Sequence, residues 1–325
     1  MYKNLLIILI IALFAGCSNP KPQQIPSWYT NPPKDYKNFY AVASAQNKMK
    51  AKNLAINALR KNINTELDAS FQTTNHMLAS SPKILEEIMK SNNNLCNKLS
   101  MMYARIEKSE VFNGEVLILL SVPREELFQK IKHISDIKFK ELEKQYNLSK
   151  DSMPIQRYAN IKPLMSQYTT LASQIAFEKI SIATYSADNE FKLLKLLDDE
   201  YKKLQSQIHV YILSDGNSRI YTKSIKEAIQ KEGLRTERGT KDDNTFKLII
   251  SSQTTNSQDY SFMVSSNLVK YVLFDSEKNK LLFRQHTFVG KSRKSYQDAK
   301  LQTALHQASK IKQLGIFDFI GLKNE

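Results

Sequence analysis

The chain has 325 residues, of which 42% are hydrophobic, and a formal net charge of +15. That hydrophobic share supports a real core and excludes broad disorder, and the length allows two ordinary domains. Two cysteines and eight glycines leave little material for a disulfide scaffold or a glycine-rich phosphate loop.

Lys3 precedes an unbroken apolar run from Leu5 to Phe14, and the small pair Ala15-Gly16 leads to Cys17. A charged start, a short apolar core and a small-residue cut site make residues 1–16 a secretory signal. The run falls short of the roughly 20 apolar residues that a spanning helix needs. Phe14-Ala15-Gly16-Cys17 resembles the bacterial lipobox, which implies that Cys17 carries lipid; an ordinary cleaved signal with a chance cysteine is the alternative. Ser18 stands where an Asp would favour the inner membrane, so the expectation is an outer-membrane anchor with the folded part facing the periplasm. Export excludes nucleic acid as the partner of the basic charge and leaves anionic lipid, lipopolysaccharide or acidic wall polymers. The lysine runs are interleaved with acids, as expected of solvated faces.

Residues 17–37 read as a lipidated tether, with prolines at 20, 22, 26, 32 and 33 that keep it extended. A first α+β domain is expected over 38–130. Phe39 to Ala45 alternates as a strand does, and after Asn47 a helix carries Ala51, Leu54, Ala55, Ala58, Leu59 and Ile63 on one stripe. Residues 70 to 98 are polar and fit a helix with Pro82 near a start. Met101 to Glu110 and Glu115 to Val122 read as an antiparallel pair joined by Asn113-Gly114, a strong hairpin signal. Val116, Leu117, Leu119 and Leu120 are apolar on both sides of their strand, which predicts cover on both faces. Arg124-Glu125-Glu126 opens a helix expected to reach about Tyr146.

Residues 131–206 are expected to be helical. Ile161, Leu164, Tyr168, Leu171 and Ile175 share a seam, as do Leu194, Leu197, Tyr201, Leu204 and Ile208, with a break at Ser186 to Asn189. Such seams pack helix on helix; the pair is either a projecting hairpin arm or two helices lying on the flanking domains. A second α+β domain follows over 207–325. Ile208 to Leu213 is a strand, Asp215-Gly216 a turn, and Tyr221, Ile225, Ala228 and Ile229 mark a helix that stops at Gly233. Strands are expected at Phe246 to Ser252, Phe262 to Phe274 and Leu281 to Val289. Ser295 then caps a last helix, with Asp298 in its first turn. The fold class is α+β: two small α/β-sandwich domains joined by a long helical segment.

Pro26-Ser27-Trp28-Tyr29-Thr30-Asn31-Pro32-Pro33, then Phe39-Tyr40-Ala41-Val42-Ala43-Ser44-Ala45 and the alanine-striped helix, resemble the LPP-twenty family of Gram-negative envelope lipoproteins. Leu119-Leu120-Ser121-Val122-Pro123-Arg124-Glu125-Glu126-Leu127 resembles that family's closing strand and the helix after it. The resemblance spans about residues 26 to 130, and Ala43 stands where members usually carry glycine. It implies an outer-membrane lipoprotein with envelope or flagellar proteins as partners, since a similar domain begins a periplasmic flagellar assembly protein. It implies no enzyme. Physically, Trp28 and Tyr29 would pack the tether onto the first domain.

No constellation for chemistry is visible. The histidines at 76, 133, 209, 286 and 306 are scattered and form no metal-ligand spacing. His209 and His286 lie on predicted strands and could meet in the second domain. No Gly-x-Ser-x-Gly elbow occurs. With Cys17 lipidated, Cys96 has no intramolecular partner, and an inert buried thiol is the ordinary reading. The expectation is therefore a non-enzymatic envelope lipoprotein, without cofactor or metal, acting as a structural or assembly scaffold. The alternatives are a lipid- or glycolipid-binding module and an undetected envelope enzyme.

Overall fold

The computed structural model describes residues 24–78, 82–240 and 244–322. The signal, Cys17 and the first part of the tether lie outside the described residues. The chain is α+β and divides into two compact units that interleave in sequence. One gathers the described residues up to Phe71 with Asn92–Lys130 and Ile180–Thr184; the other gathers Gln72–Ser91, Ile131–Lys179 and the chain from Tyr185.

The first unit is built on an antiparallel sheet of β1 (Asn38–Ala45), β2 (Arg105–Phe112) and β3 (Glu115–Pro123) in the order β1-β3-β2. Asn113 and Gly114 take φ of 47° and 80°, the two left-handed residues of the tight turn that this dipeptide favours. β3 pairs along its length with β1, from Pro123↔Asn38 to Val116↔Ala45. Residues Leu117 to Val122 are all buried, as expected for a strand covered twice. On one face, helix α2 (Lys48–Leu78) lays Ala51 and Ala55 against Ile118 and Leu120; the small alanines let the helix backbone approach the sheet. On the other, the short helix α1 (Ser27–Thr30) sets Trp28 on Leu117 and Leu119, with Tyr29, Tyr40, Val42 and Phe112 around it.

Met101 to Tyr103, expected to begin β2, instead end the helix α3 (Pro82–Tyr103). A short apolar run fits either state, and the pairing of β2 with β3 ends at Ser121↔Arg105, two residues before β3 itself ends at Pro123. Arg124 closes the unit at the end of β3. Its backbone N–H donates to the Lys37 carbonyl, its guanidinium lies 3.6 Å from the Phe39 ring centroid, and Nη2 donates to both Glu66 oxygens at 2.9 Å.

The second unit joins a helical part to a four-stranded sheet. Helices α4 (Arg124–Ser149), α5 (Pro154–Ser181) and α6 (Asp188–Gln207) follow in sequence. The seam of Ile161, Leu164, Tyr168, Leu171 and Ile175 is buried, but so is every residue from Leu171 to Glu178. A helix covered all round is an inner helix. Its cover includes α6, where Tyr158 and Tyr201 stack with centroids 5.3 Å apart. It also includes α3, where Ser173 Oγ donates to the Ile88 carbonyl.

The sheet has the order β4 (Ile208–Ser214), β5 (Asn244–Asp259), β6 (Phe262–Phe274), β7 (Lys280–Ser292), with β4 parallel to β5 and the rest antiparallel. A 3-10 turn (Gly216–Tyr221) and α7 (Thr222–Lys231) connect β4 to β5; α8 (Tyr296–Leu314) and α9 (Ile316–Ile320) follow β7. The expected Asp215-Gly216 turn opens the 3-10 segment, where the Asp215 carboxylate accepts the Ser218 N–H at 2.8 Å. Ser295 caps α8 as its sequence predicts, accepting the Asp298 N–H at 3.0 Å. α8 lies so close to β7 that a Cβ on Gly290 would run into the Ala299 carbonyl.

Beneath the sheet the core is partly polar. Tyr221 Oη and Thr303 Oγ1 share a hydrogen bond of 2.7 Å, Asn267 Nδ2 donates to Ser265 Oγ at 3.0 Å, and Gln307 Nε2 donates to Tyr271 Oη at 3.0 Å. A buried network of satisfied groups fixes one register of helix on sheet, because a slipped register would leave them unpaired.

Trp28 is the chain's single tryptophan and is 8% exposed. Trp28→Ala should lower the stability of the first unit by about 3 kcal/mol in urea unfolding, whereas Tyr36→Ala, at an 82% exposed position, should stay within about 0.5 kcal/mol of wild type. Equal effects would mean that α1 does not close that face.

Candidate functional site

Three groups of residues carry expectations of function: the tether aromatics, the titratable side chains, and the surfaces of the second sheet. In the tether, Trp28 Nε1 donates to Glu110 Oε1 on β2 at 2.8 Å, and Trp28 meets Tyr29 edge to face at 6.0 Å. The indole thus places its polar edge on a carboxylate and its rings on leucines, the arrangement that lets a tryptophan be buried without loss of its hydrogen bond. Cys17 falls outside the described residues.

His209 and His286 do not come together. His209 on β4 and His286 on β7 sit on the two edge strands of the sheet, with β5 and β6 between them. At roughly 4.8 Å per strand step, three steps alone put them at least about 14 Å apart, and the register sets His286 level with Ser252 of β5 and His209 level with Thr245, so the pair that the sequence allowed is not formed. His286 Nε2 lies 2.9 Å from the Phe319 carbonyl, and burial, which outweighs that bond, holds its pKa below the ordinary value. His306 Nδ1 lies 2.8 Å from the Val289 carbonyl. Both are tied to backbone. Among the described residues no group of three or more His, Cys, Asp or Glu side chains is placed to hold a metal ion. No described helix is long and apolar enough to cross a membrane.

Cys96 is fully buried, with Sγ 3.6 Å from the Arg60 carbonyl, and burial pushes its thiol up to about 11. A thiol so raised holds almost no thiolate at neutral pH.

One titratable cluster is buried, and sequence reasoning missed it. In the helical part of the second unit, Glu178 on α5 is fully buried and accepts a hydrogen bond from Ser135 of α4. Beside it Lys132 donates to Glu190 at 3.0 Å and to Asp136, and Tyr185 Oη donates to Glu190 at 3.0 Å. Burial raises the Glu178 pKa more than Ser135, Tyr185 and Lys132 lower it. For Lys132, burial pulls downward, but hydrogen bonds to Asp136, Glu190 and Tyr185 overcome it and the pKa ends above the ordinary value. The cluster joins α4 and α5 to the start of α6, as packing ion pairs do. No signal announced it, because these residues lie far apart in sequence.

The strand β5 was also underestimated. It continues past Ser252 to Asp259 and pairs with β6 to the end, from Gln253↔Leu268 to Asp259↔Phe262. Its other neighbour, β4, stops at Ser214↔Ile250. The 3-10 turn covers the next step, where Ser218 Oγ donates to Ser252 Oγ at 2.9 Å. From Gln253 onward every β5 side chain is exposed, and no described strand pairs with that edge. A signal was present but faint: Gln253-Thr254-Thr255-Asn256-Ser257-Gln258 is polar on both faces, so it lacks the alternation that marks a half-buried strand.

No family model and no curated protein sequence matches the chain. Among solved structures it is similar to a minor lipoprotein of Acinetobacter baumannii, at 11% identity and a TM-score of 0.28 over 35% of this chain and 95% of that one. A secreted protein of Helicobacter pylori is similar at 14% identity and a TM-score of 0.33, over 86% of this chain and 99% of that one. The rare lipoprotein B of Shewanella oneidensis is similar at 10% identity and a TM-score of 0.22, over 32% and 94%. Scores this low define neither a shared fold nor a shared function.

The Glu178 environment has a measurable consequence. A carboxyl whose pKa is raised on folding holds its proton in the folded state after the unfolded state has lost it near the ordinary value of 4.5. Stability then falls as pH rises from there through the folded-state value. Glu178→Gln removes that dependence, so its melting temperature relative to wild type should be higher at pH 8 than at pH 4. A difference that does not change with pH would show that the carboxylate is fully compensated by Lys132.

Proposed function

We propose that this chain is a non-enzymatic envelope lipoprotein, held to the outer membrane by lipid on Cys17 and acting as a structural or assembly scaffold for other envelope proteins. The observation that carries the reading is the open edge of β5 from Gln253 to Asp259, which no described strand pairs. Strand edges present rows of unpaired N–H and C=O groups, and proteins commonly blunt them with lysine, proline or bulges. This edge has none of the three: the seven residues contain neither Lys nor Pro, and the register shift in the sheet lies at the far end, between Leu273 and Phe274. An unprotected edge with polar side chains suits strand addition, where main-chain bonds supply affinity. Envelope proteins, flagellar components included, are the partners that the LPP-twenty resemblance favours, and the periplasm is the compartment that it implies.

Wild type should fractionate with the outer membrane and Cys17→Ser should be soluble. Cross-linking in the native envelope should recover protein partners through wild type and lose most of them with Asn256→Lys and Gln258→Lys together, since lysine on an edge discourages pairing. A membrane-bound Cys17→Ser protein would overturn the anchor, and unchanged partner recovery by the lysine variant would overturn the edge.

A further inference from the structure

Helix α8 is inverted with respect to an ordinary amphipathic helix. Its buried stripe is Ala299, Thr303, Gln307 and Ile311, so two of the four inward positions are polar. The leucines at 301 and 305, one turn apart, are 49% and 61% exposed. They are not left bare by a lack of core positions; the core positions are taken by groups that hydrogen bond to Tyr221 and Tyr271. Leu301 and Leu305, with Ile220 and Ala304, line an open cleft of about 600 Å³ whose other walls are Gly216, Arg219 and Lys223.

A second cavity, of about 510 Å³, adjoins the first and shares Gly216, Arg219 and Lys223 with it. Its lining is of opposite character. Arg219, Lys223 and Lys226 face one carboxylate, Asp215, among the hydroxyls of Ser214, Thr222 and Thr236. Asp215 is already engaged by the Ser218 N–H at 2.8 Å. Lys223 has only a long contact of 3.9 Å to Glu227, and Arg219 and Lys226 have no carboxylate within ion-pair distance among the described residues. Both volumes fall in the range of roughly 300–1,000 Å³ typical of small-molecule sites.

We propose that the two cavities form one binding site for a phosphate-bearing lipid. The headgroup sits among Arg219, Lys223 and Lys226, and an acyl chain lies along Ile220, Leu301 and Leu305. Arg219 and Lys223 stand at the junction, where the charged and apolar parts of such a molecule meet. A guanidinium binds a phosphate through two parallel hydrogen bonds, and the hydrocarbon stems of Arg and Lys can cover the upper chain. Charge complementarity selects an anionic headgroup over a zwitterionic one, and the apolar cleft selects a lipid over a free anion. The site lies at the end of β4, on the 3-10 turn, α7 and α8, and beside Thr236; it uses no residue of the open β5 edge from 253 to 259, so the scaffold reading and this one stand or fall separately.

The test is isothermal titration of the full chain carrying Cys17→Ser with short-chain probes: dihexanoyl phosphatidylglycerol, dihexanoyl phosphatidylcholine and inorganic phosphate. The anionic lipid should bind with one site per chain and at least about tenfold more tightly than either of the others. Arg219→Gln with Lys226→Gln should weaken it by about tenfold or more. Leu305→Ser should weaken it by about threefold or more, corresponding to partial loss of apolar contact, and leave phosphate binding unchanged. All three substitutions are at exposed positions, and unchanged circular dichroism would confirm folding. Equal affinity for inorganic phosphate would reduce the site to one for a free anion and overturn the proposal. Equal affinity for the zwitterionic lipid, no saturable binding, or variants that bind like wild type would overturn it as well.

Discussion

The packing of β3 on two sides is the constraint on which the first unit depends. Six consecutive residues of that strand are buried, and a strand in this state must find apolar cover above and below or expose leucines to water. α2 supplies one cover with its alanines and the tether supplies the other with Trp28. The tether is therefore not merely a leash. Within it Ser27–Thr30 is helical, and the buried Trp28 on that helix is part of the core of the unit. Ten residues separate Cys17 from Trp28, and fully extended chain spans at most about 3.6 Å per residue. A lipid on Cys17 would hold the folded part within roughly 40 Å of the bilayer.

The second unit solves a different problem. Its sheet and α8 meet through hydroxyl and amide groups as well as through apolar side chains, and each polar group has a partner: Tyr221 with Thr303, Asn267 with Ser265, Gln307 with Tyr271. Such an interface is specific in register, and Gly290 permits the close approach that the hydrogen bonds require. The consequence for function is on the outer side of the same helix. Polar residues occupy inward positions of α8 while Leu301 and Leu305 lie on its outer face, where they border a cationic hollow.

Local chemistry made much of this fold legible in the sequence. Asn113-Gly114 marks its hairpin because few residues tolerate left-handed backbone, and Ser295 marks the start of α8 because its hydroxyl satisfies an otherwise orphan N–H. The apolar stretch at Val116 to Leu120 states its own double burial. What stayed hidden depends on neighbours distant in the chain. The β5 tail is a strand only because β6 pairs with it, and its polar residues have no periodicity of their own. Met101 to Tyr103 close the helix α3, and the pairing of β2 with β3 begins only at Arg105. The separation of His209 from His286 follows from strand order, which spacing in sequence does not reveal. The inward place of Thr303 and Gln307 on α8 depends on Tyr221 and Tyr271, which lie opposite them.

The scaffold reading rests on the edge of β5, and amide hydrogen exchange measures that edge directly. In the isolated protein, alternate amides from Gln253 to Asp259 point away from β6 and should exchange rapidly, while those bonded to β6 are protected. In native outer membranes the same fast amides should become protected, because a partner strand occupies the edge. Alternate amides that exchange equally fast in the membrane and in isolation would contradict a docking role for this strand.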